Sequence, residues 1–194
     1  MADTKAPPPP VAAPTHKGFA AVLEKATGKD RVNLQKQLDT AAAQPGTHAD
    51  TWQQLVAMLA ALAPHALQPV GKEAIRFFIA DGRYKLQVYA LEDKRDGRLA
   101  VYLPDVLDKA VKKKLIAPTR NPGEYAVPKS KTDVIYIDSL NGDNTADAPA
   151  HFKFMIGLGR KALRVTLASD GRPAQLAAVE SLCQLAAPEI IKAG

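Results

Sequence analysis

The residues that could do chemistry are few. Asp138, Asn141, Asp143, Asn144 and Asp147 gather oxygen ligands of the kind a hard cation takes. Their spacing does not match an EF-hand loop, and the glutamate that would close one is absent. Turn formation alone explains the Asn-Gly and Asp-Asn pairs. Gly157-Leu158-Gly159-Arg160-Lys161-Ala162 matches G-x-G-x-x-A. A dinucleotide site needs a helix next, because the helix N-terminal N–H groups hold the pyrophosphate. Here Leu163, Val165 and Leu167 alternate with Arg164 and Thr166, so a strand follows and the glycine segment reads as a hairpin loop.

His16, His48, His65 and His151 lie in separate segments, with no i, i+4 pairing and no neighbouring cysteine, so zinc spacing is missing. Cys183 sits in an apolar helical pattern and reads as a buried, inert thiol. No G-x-S-x-G occurs. These absences weigh against an enzyme without closing the matter, because catalytic groups also assemble from scattered positions. A small hydrolase or transferase using the polar loop 138–147 therefore stays as an alternative. No metal or other cofactor is implied.

Binding chemistry is better represented. The stretch from Lys109 to Thr132 carries Lys109, Lys112, Lys113, Lys114, Arg120, Lys129 and Lys131. Those seven cations stand against Glu124 alone, a net +6 equal to that of the whole chain. Such asymmetry points to an anionic partner such as nucleic acid; a solvated helix face is the plain alternative. A second set, Arg76, Phe78, Lys85, Tyr89, Arg98 and Tyr102, shares one face of a sheet. Aromatic and basic side chains together resemble the stacking platforms of single-strand binders. No RNP-type motif accompanies them, and a face buried between helices is the reading we prefer.

The elements that position these residues start with 73–104, read as a three-stranded antiparallel meander. Asp81-Gly82 suits a type I′ turn, where both central residues need positive φ. A turn there pairs Ile79 with Tyr84, Phe77 with Leu86 and Ile75 with Val88, leaving Phe78–Lys85 and Arg76–Gln87 on the other face. The register set by the turn thus agrees with the register set by burial. For the third strand, a four-residue loop from Lys94 to Gly97 would oppose Val101 with Ala90 and Leu103 with Val88.

Upstream, residues 1–14 form a proline-rich disordered tail. Residues 15–67 read as three helices. The first carries Phe19, Val22, Leu23 and Ala26 and ends near Gly28; the second starts at Asp30 and buries Leu34 and Leu38. In the third, Asp50 and Gln53 have cap spacing ahead of a Trp52, Leu55, Val56, Leu59, Leu62 and Ala63 stripe. Downstream, a helix over 105–116 turns Val106, Leu107, Ala110, Val111 and Leu115 inward. Strands are expected near 133–140, 151–157 and 162–168, with a short one around 125–127. A final helix opens at Pro173, buries Leu176, Val179, Leu182, Cys183 and Ala186, and ends at Pro188. A hairpin followed by a helix recurs faintly, at 83–116 and 151–187.

The fold class is therefore α+β: a mostly antiparallel sheet of five to six strands with helices packed on it, after a three-helix N-terminal segment. The sheet occupies 70–194, either as its own body or as one with 15–67. At 46% hydrophobic and 24% charged residues, the 194-residue chain has the composition of a soluble globular protein. A single cysteine excludes an intrachain disulfide and fits a reducing compartment. No apolar leader core opens the chain and no apolar run reaches the length of a membrane span, so a cytoplasmic location is expected. The functional expectation is a non-catalytic binding module with a basic surface. The alternatives are the enzyme above and a module that docks a protein partner through the N-terminal helices.

Overall fold

The computed structural model describes residues 11–44, 46–62, 67–68, 74–79, 84–89, 99–144, 153, 156–167 and 171–191. For 59, 62, 67–68, 74–79, 84–89 and 187–191 the description covers the backbone. Three helices open it, α1 (Lys17–Lys25), α2 (Gly28–Ala42) and α3 (His48–Leu62). The apolar stripes expected for them are buried: Phe19, Val22 and Leu23 on α1, Leu34 and Leu38 on α2, Trp52, Leu55 and Val56 on α3. The Trp52 and Phe19 rings meet at 4.9 Å, which locks α1 onto α3.

Two helix boundaries differ from expectation. Gly28 does not end α1; at φ +51 it opens α2, so its conformational freedom turns the chain between two helices. Helix α3 starts at His48, two residues before Asp50. Gln53 is then free for another task. Its side-chain oxygen accepts the N–H groups of Thr15 (2.9 Å) and His16 (3.1 Å).

Val11 to Pro14, expected within the loose tail, belong to no helix or strand but are held. Ala12 donates its N–H to Asp39 (2.9 Å) and accepts from the Gln35 amide (2.5 Å). Two side chains of α2 thus satisfy the backbone of a segment that has no partner strand. Residues 1–10 lie outside the described set.

Among the described residues the sheet has eight strands: β1 (Leu67–Gln68), β2 (Ala74–Ile79), β3 (Tyr84–Tyr89), β4 (Leu99–Pro104), β5 (Ala117–Pro118), β6 (Glu124–Ala126), β7 (Val134–Leu140) and β8 (Ala162–Leu167). Five of these, β2, β3, β4, β7 and β8, are six or seven residues long; the others are short. The order is β1-β2-β3-β4-β8-β7-β6-β5, and every neighbouring pair is antiparallel. Two sequential meanders, β1–β4 and β5–β8, therefore join through their last strands. A helix follows each one: α4 (Leu107–Lys112) after β4, and α5 (Pro173–Ile191) after β8. The doubled arrangement is not the echo read in the sequence, whose second copy needed a hairpin at 151–168 that the sheet does not contain.

The β2–β3 register is the one that a two-residue corner at 81–82 demands, with Ile79 opposite Tyr84, Phe77 opposite Leu86 and Ile75 opposite Val88. The corner itself is outside the described residues. Between β3 and β4 the register is displaced from expectation by two residues: Val88 faces Val101, where Leu103 was expected. A two-residue slide keeps every side chain on its own face, so patterning alone does not forbid it.

The strand expected near 151–157 does not appear among its described residues. Lys153, Ile156 and Gly157 are helical, and Gly159 ends that turn by donating its N–H to the Ile156 carbonyl (2.8 Å). The hairpin reading of 157–161 falls with it. The reason is topological. Both edges of β8 are taken, by β4 and β7, so a hairpin partner has no edge to pair with. The last helix opens at Pro173 as expected but runs through Pro188 to Ile191.

One apolar core joins the helices to the sheet. It unites Phe19, Leu34, Trp52 and Leu55 with Leu99, Val101 and Leu103 of β4, Leu163, Val165 and Leu167 of β8, and Val179, Leu182 and Cys183 of α5. The N-terminal helices and the sheet thus share one interior. A second, smaller cluster of Ala100, Tyr102, Leu140, Ile156 and Ala162 lies on the opposite face. Among the described residues no helix is long and apolar enough to cross a membrane.

Candidate anion-binding corner

Helix α4 begins where the Asp105 carboxylate accepts the Leu107 N–H (3.0 Å). Val106 and Ala110 are buried, while Leu107, Val111 and Leu115 pack partly against the core. That stripe leaves Lys109, Lys112, Lys113 and Lys114 exposed. The helix ends in a Schellman motif. Lys114 donates its N–H to Val111 (2.9 Å), and Leu115 donates to Ala110 (3.0 Å). Lys114 therefore holds φ +57, the position at which glycine is the usual occupant.

Ile116 and Val127 are buried on either side of the paired residues Ala117 and Ala126. The chain thus enters β5 and leaves β6 at the same end of the sheet. The segment leaving β6 carries Lys129 and Lys131, both exposed. It is a closed loop. Val127 donates to the Asp133 carbonyl (3.2 Å), and the Ser130 hydroxyl oxygen accepts the Asp133 N–H (3.0 Å). Lys129 follows Pro128 at φ +63, the combination a type II turn uses and where glycine or asparagine is usual. Left-handed backbone costs an L-residue roughly 1–2 kcal/mol.

Pairing therefore brings Lys112, Lys113 and Lys114 to the same end as Lys129 and Lys131. Arg120 is not with them. It is exposed at the β5–β6 corner, the opposite end of those short strands. Two carboxylates here, Glu124 and Asp133, are engaged, and a third, Asp108 on α4, is exposed. Glu124 accepts the Thr119 hydroxyl (2.9 Å) and the Asn121 amide (3.2 Å). Asp133 accepts the Arg172 guanidinium at 2.6 Å, and the Gln175 amide donates to the Val134 carbonyl (2.8 Å), which braces the loop against the start of α5.

The aromatic face gives a different result. Tyr102 is 1% exposed, so it offers no ring face for stacking and is withdrawn from the surface set. Arg98, and the side chains of Arg76, Phe78, Lys85 and Tyr89, lie outside the described set. Two residues that the sequence did not single out, Arg164 and Tyr136, share this face with Tyr102. Arg164 donates through Nε (2.9 Å) and a terminal nitrogen (2.7 Å) to one oxygen of Asp138. Burial works against the Arg164 charge, but the Asp138 hydrogen bonds and charge, with Tyr102 adding to them, outweigh it and hold its pKa above the usual value. The two positions are adjacent only because β7 pairs with β8.

The polar loop closes on itself. Asn141 accepts the Asp143 N–H (2.9 Å), and Asn144 accepts the Asn141 N–H (2.7 Å) while donating to the Ser139 carbonyl (2.6 Å). Asp147 lies outside the described residues. Among the described residues no group of three or more His, Cys, Asp or Glu could hold a metal ion. Cys183 is fully buried, and desolvation pushes its thiol up to about 12. A cleft of about 450 Å³ lies between α3 and α5, with His16, Gln54 and Glu180 on an otherwise largely apolar wall.

The left-handed lysines are what the sequence reading missed. Pro128 ahead of Lys129 signals a turn but not its type, since type I turns take proline there too and leave the third residue at negative φ. No family model, curated protein or solved structure matches this chain.

Proposed function

We propose that this chain is a non-catalytic binding module that engages the phosphate backbone of nucleic acid through Lys112, Lys113, Lys114, Lys129 and Lys131. One observation carries the reading: the pairing of Ala117 with Ala126 draws two lysine-bearing segments to one end of the sheet. Glu124 and Asp133 already have partners, while Asp108 on α4 is exposed four residues before Lys112. Ammonium groups neutralise phosphates as point charges and read no bases, so binding is salt-sensitive and nearly sequence-independent. The large apolar side chains exposed among the described residues are Val11, Val32, Tyr136 and Leu158.

The test is a titration of a short labelled DNA duplex at several salt concentrations. The expected log K falls with log salt at a slope steeper than about −2, and the combined Lys112→Ala, Lys113→Ala, Lys131→Ala variant flattens it. No salt-dependent binding, or a slope that the variant leaves unchanged, refutes the reading.

A further inference from the structure

Among the described residues, Lys114 and Lys129 are the non-glycine residues with positive φ. Both belong to the same corner, one three residues before Ala117 and the other three after Ala126, and those two alanines are paired. Each occupies a slot that favours glycine: the residue past a helix in a Schellman end, and the third position of a proline-led turn. A solvated surface gives no reason to put lysine in either slot, because the other exposed charged positions among the described residues carry their charge without positive φ. Each backbone is also pinned. Lys114 and Leu115 hydrogen-bond back into α4, and the Lys129 loop is closed by Val127, Ser130 and Asp133.

Resting on the anion-binding reading above, we propose that Lys114 and Lys129 are the principal phosphate-contacting residues, kept at glycine-type positions because both pinned backbones then launch a lysine side chain from the same end of the sheet. The ligand class is a phosphodiester backbone, which presents anions at regular intervals.

The experiment uses the full chain with Lys114→Gly, Lys129→Gly, the double variant, and Lys36→Ala as a remote exposed lysine on α2. Relief of strain predicts that each glycine variant melts about 2–4 °C higher. Loss of a phosphate contact predicts that each binds the labelled duplex about fivefold more weakly, with the salt slope reduced by about 1. Lys36→Ala changes neither. If the glycine variants bind like the wild type while the Lys112, Lys113, Lys131 variant binds weakly, the assignment to Lys114 and Lys129 is overturned and the corner reading stands. If they lose affinity without melting higher, the strain argument is overturned. A wild-type chain that ignores the duplex removes the corner reading itself.

Discussion

At the scale of the residue, Gly18 shows how a missing methyl group sets a helix contact. A Cβ there would lie 2.9 Å from the Ala57 Cβ and 3.2 Å from the His16 ring, and Ala57 has no rotamer by which to yield. Alanine normally favours a helix over glycine by about 1 kcal/mol. The clash outweighs that gain, so Gly18→Ala destabilises by about 1–2 kcal/mol in urea unfolding, and Gly18→Ala with Ala57→Gly recovers part of the loss.

Cys183 gives a second prediction at this scale. Its folded-state pKa of about 12 lies above the ordinary value of 9.0, so the folded chain holds the proton more tightly than the unfolded one. The stability linked to it is therefore complete below pH 9 and declines as pH rises from there toward 12. The thiol should resist alkylation at pH 8 in the folded chain and react on unfolding. The burial of Cys183 was legible from helical periodicity. The strain at Lys114 was not, because the end of α4 depends on how Ile116 enters the core.

At the scale of the element, legibility followed whether local signals were sufficient. The β2–β3 register could be read because a two-residue corner and an alternating apolar set gave the same answer. The β3–β4 register could not, since a slide by two residues preserves both faces. The 151–157 segment alternates like a strand and is helical where described, because β8 has no free edge; nothing in those seven residues reveals that. Arg164–Asp138 likewise depends on a pairing between residues far apart in sequence. As a half-exposed ion pair it should matter little to the fold, and Asp138→Asn is expected to change stability by at most about 1 kcal/mol. Asp105 should matter more than its exposure suggests. Asp105→Ala leaves the Leu107 N–H without its acceptor and should cost about 0.5–2 kcal/mol, measured by denaturant unfolding.

At the scale of the whole molecule, two meanders joined by β4 and β8 make a sheet whose centre is covered on both faces. The α+β class, the three opening helices and the central strands were all legible in the sequence. The doubled plan was not, because its halves share element order and few residues. Since the N-terminal helices share the main core, a chain beginning at residue 67 should expose apolar surface of α5 and the sheet and bind a hydrophobic dye strongly; weak dye binding and a cooperative melt would show that the helices are dispensable.

The proposed corner belongs to this scale as well: its lysines come from the end of α4 and from the β6–β7 loop, and the β5–β6 pairing brings those two segments to one end of the sheet. The most direct test of that placement is lysine acetylation footprinting of the full chain with and without a DNA duplex, read by mass spectrometry. The account predicts protection of Lys112, Lys113, Lys114, Lys129 and Lys131, with Lys29 and Lys36 on α2 modified equally in both. Protection centred on α2, or spread evenly over exposed lysines, would contradict it.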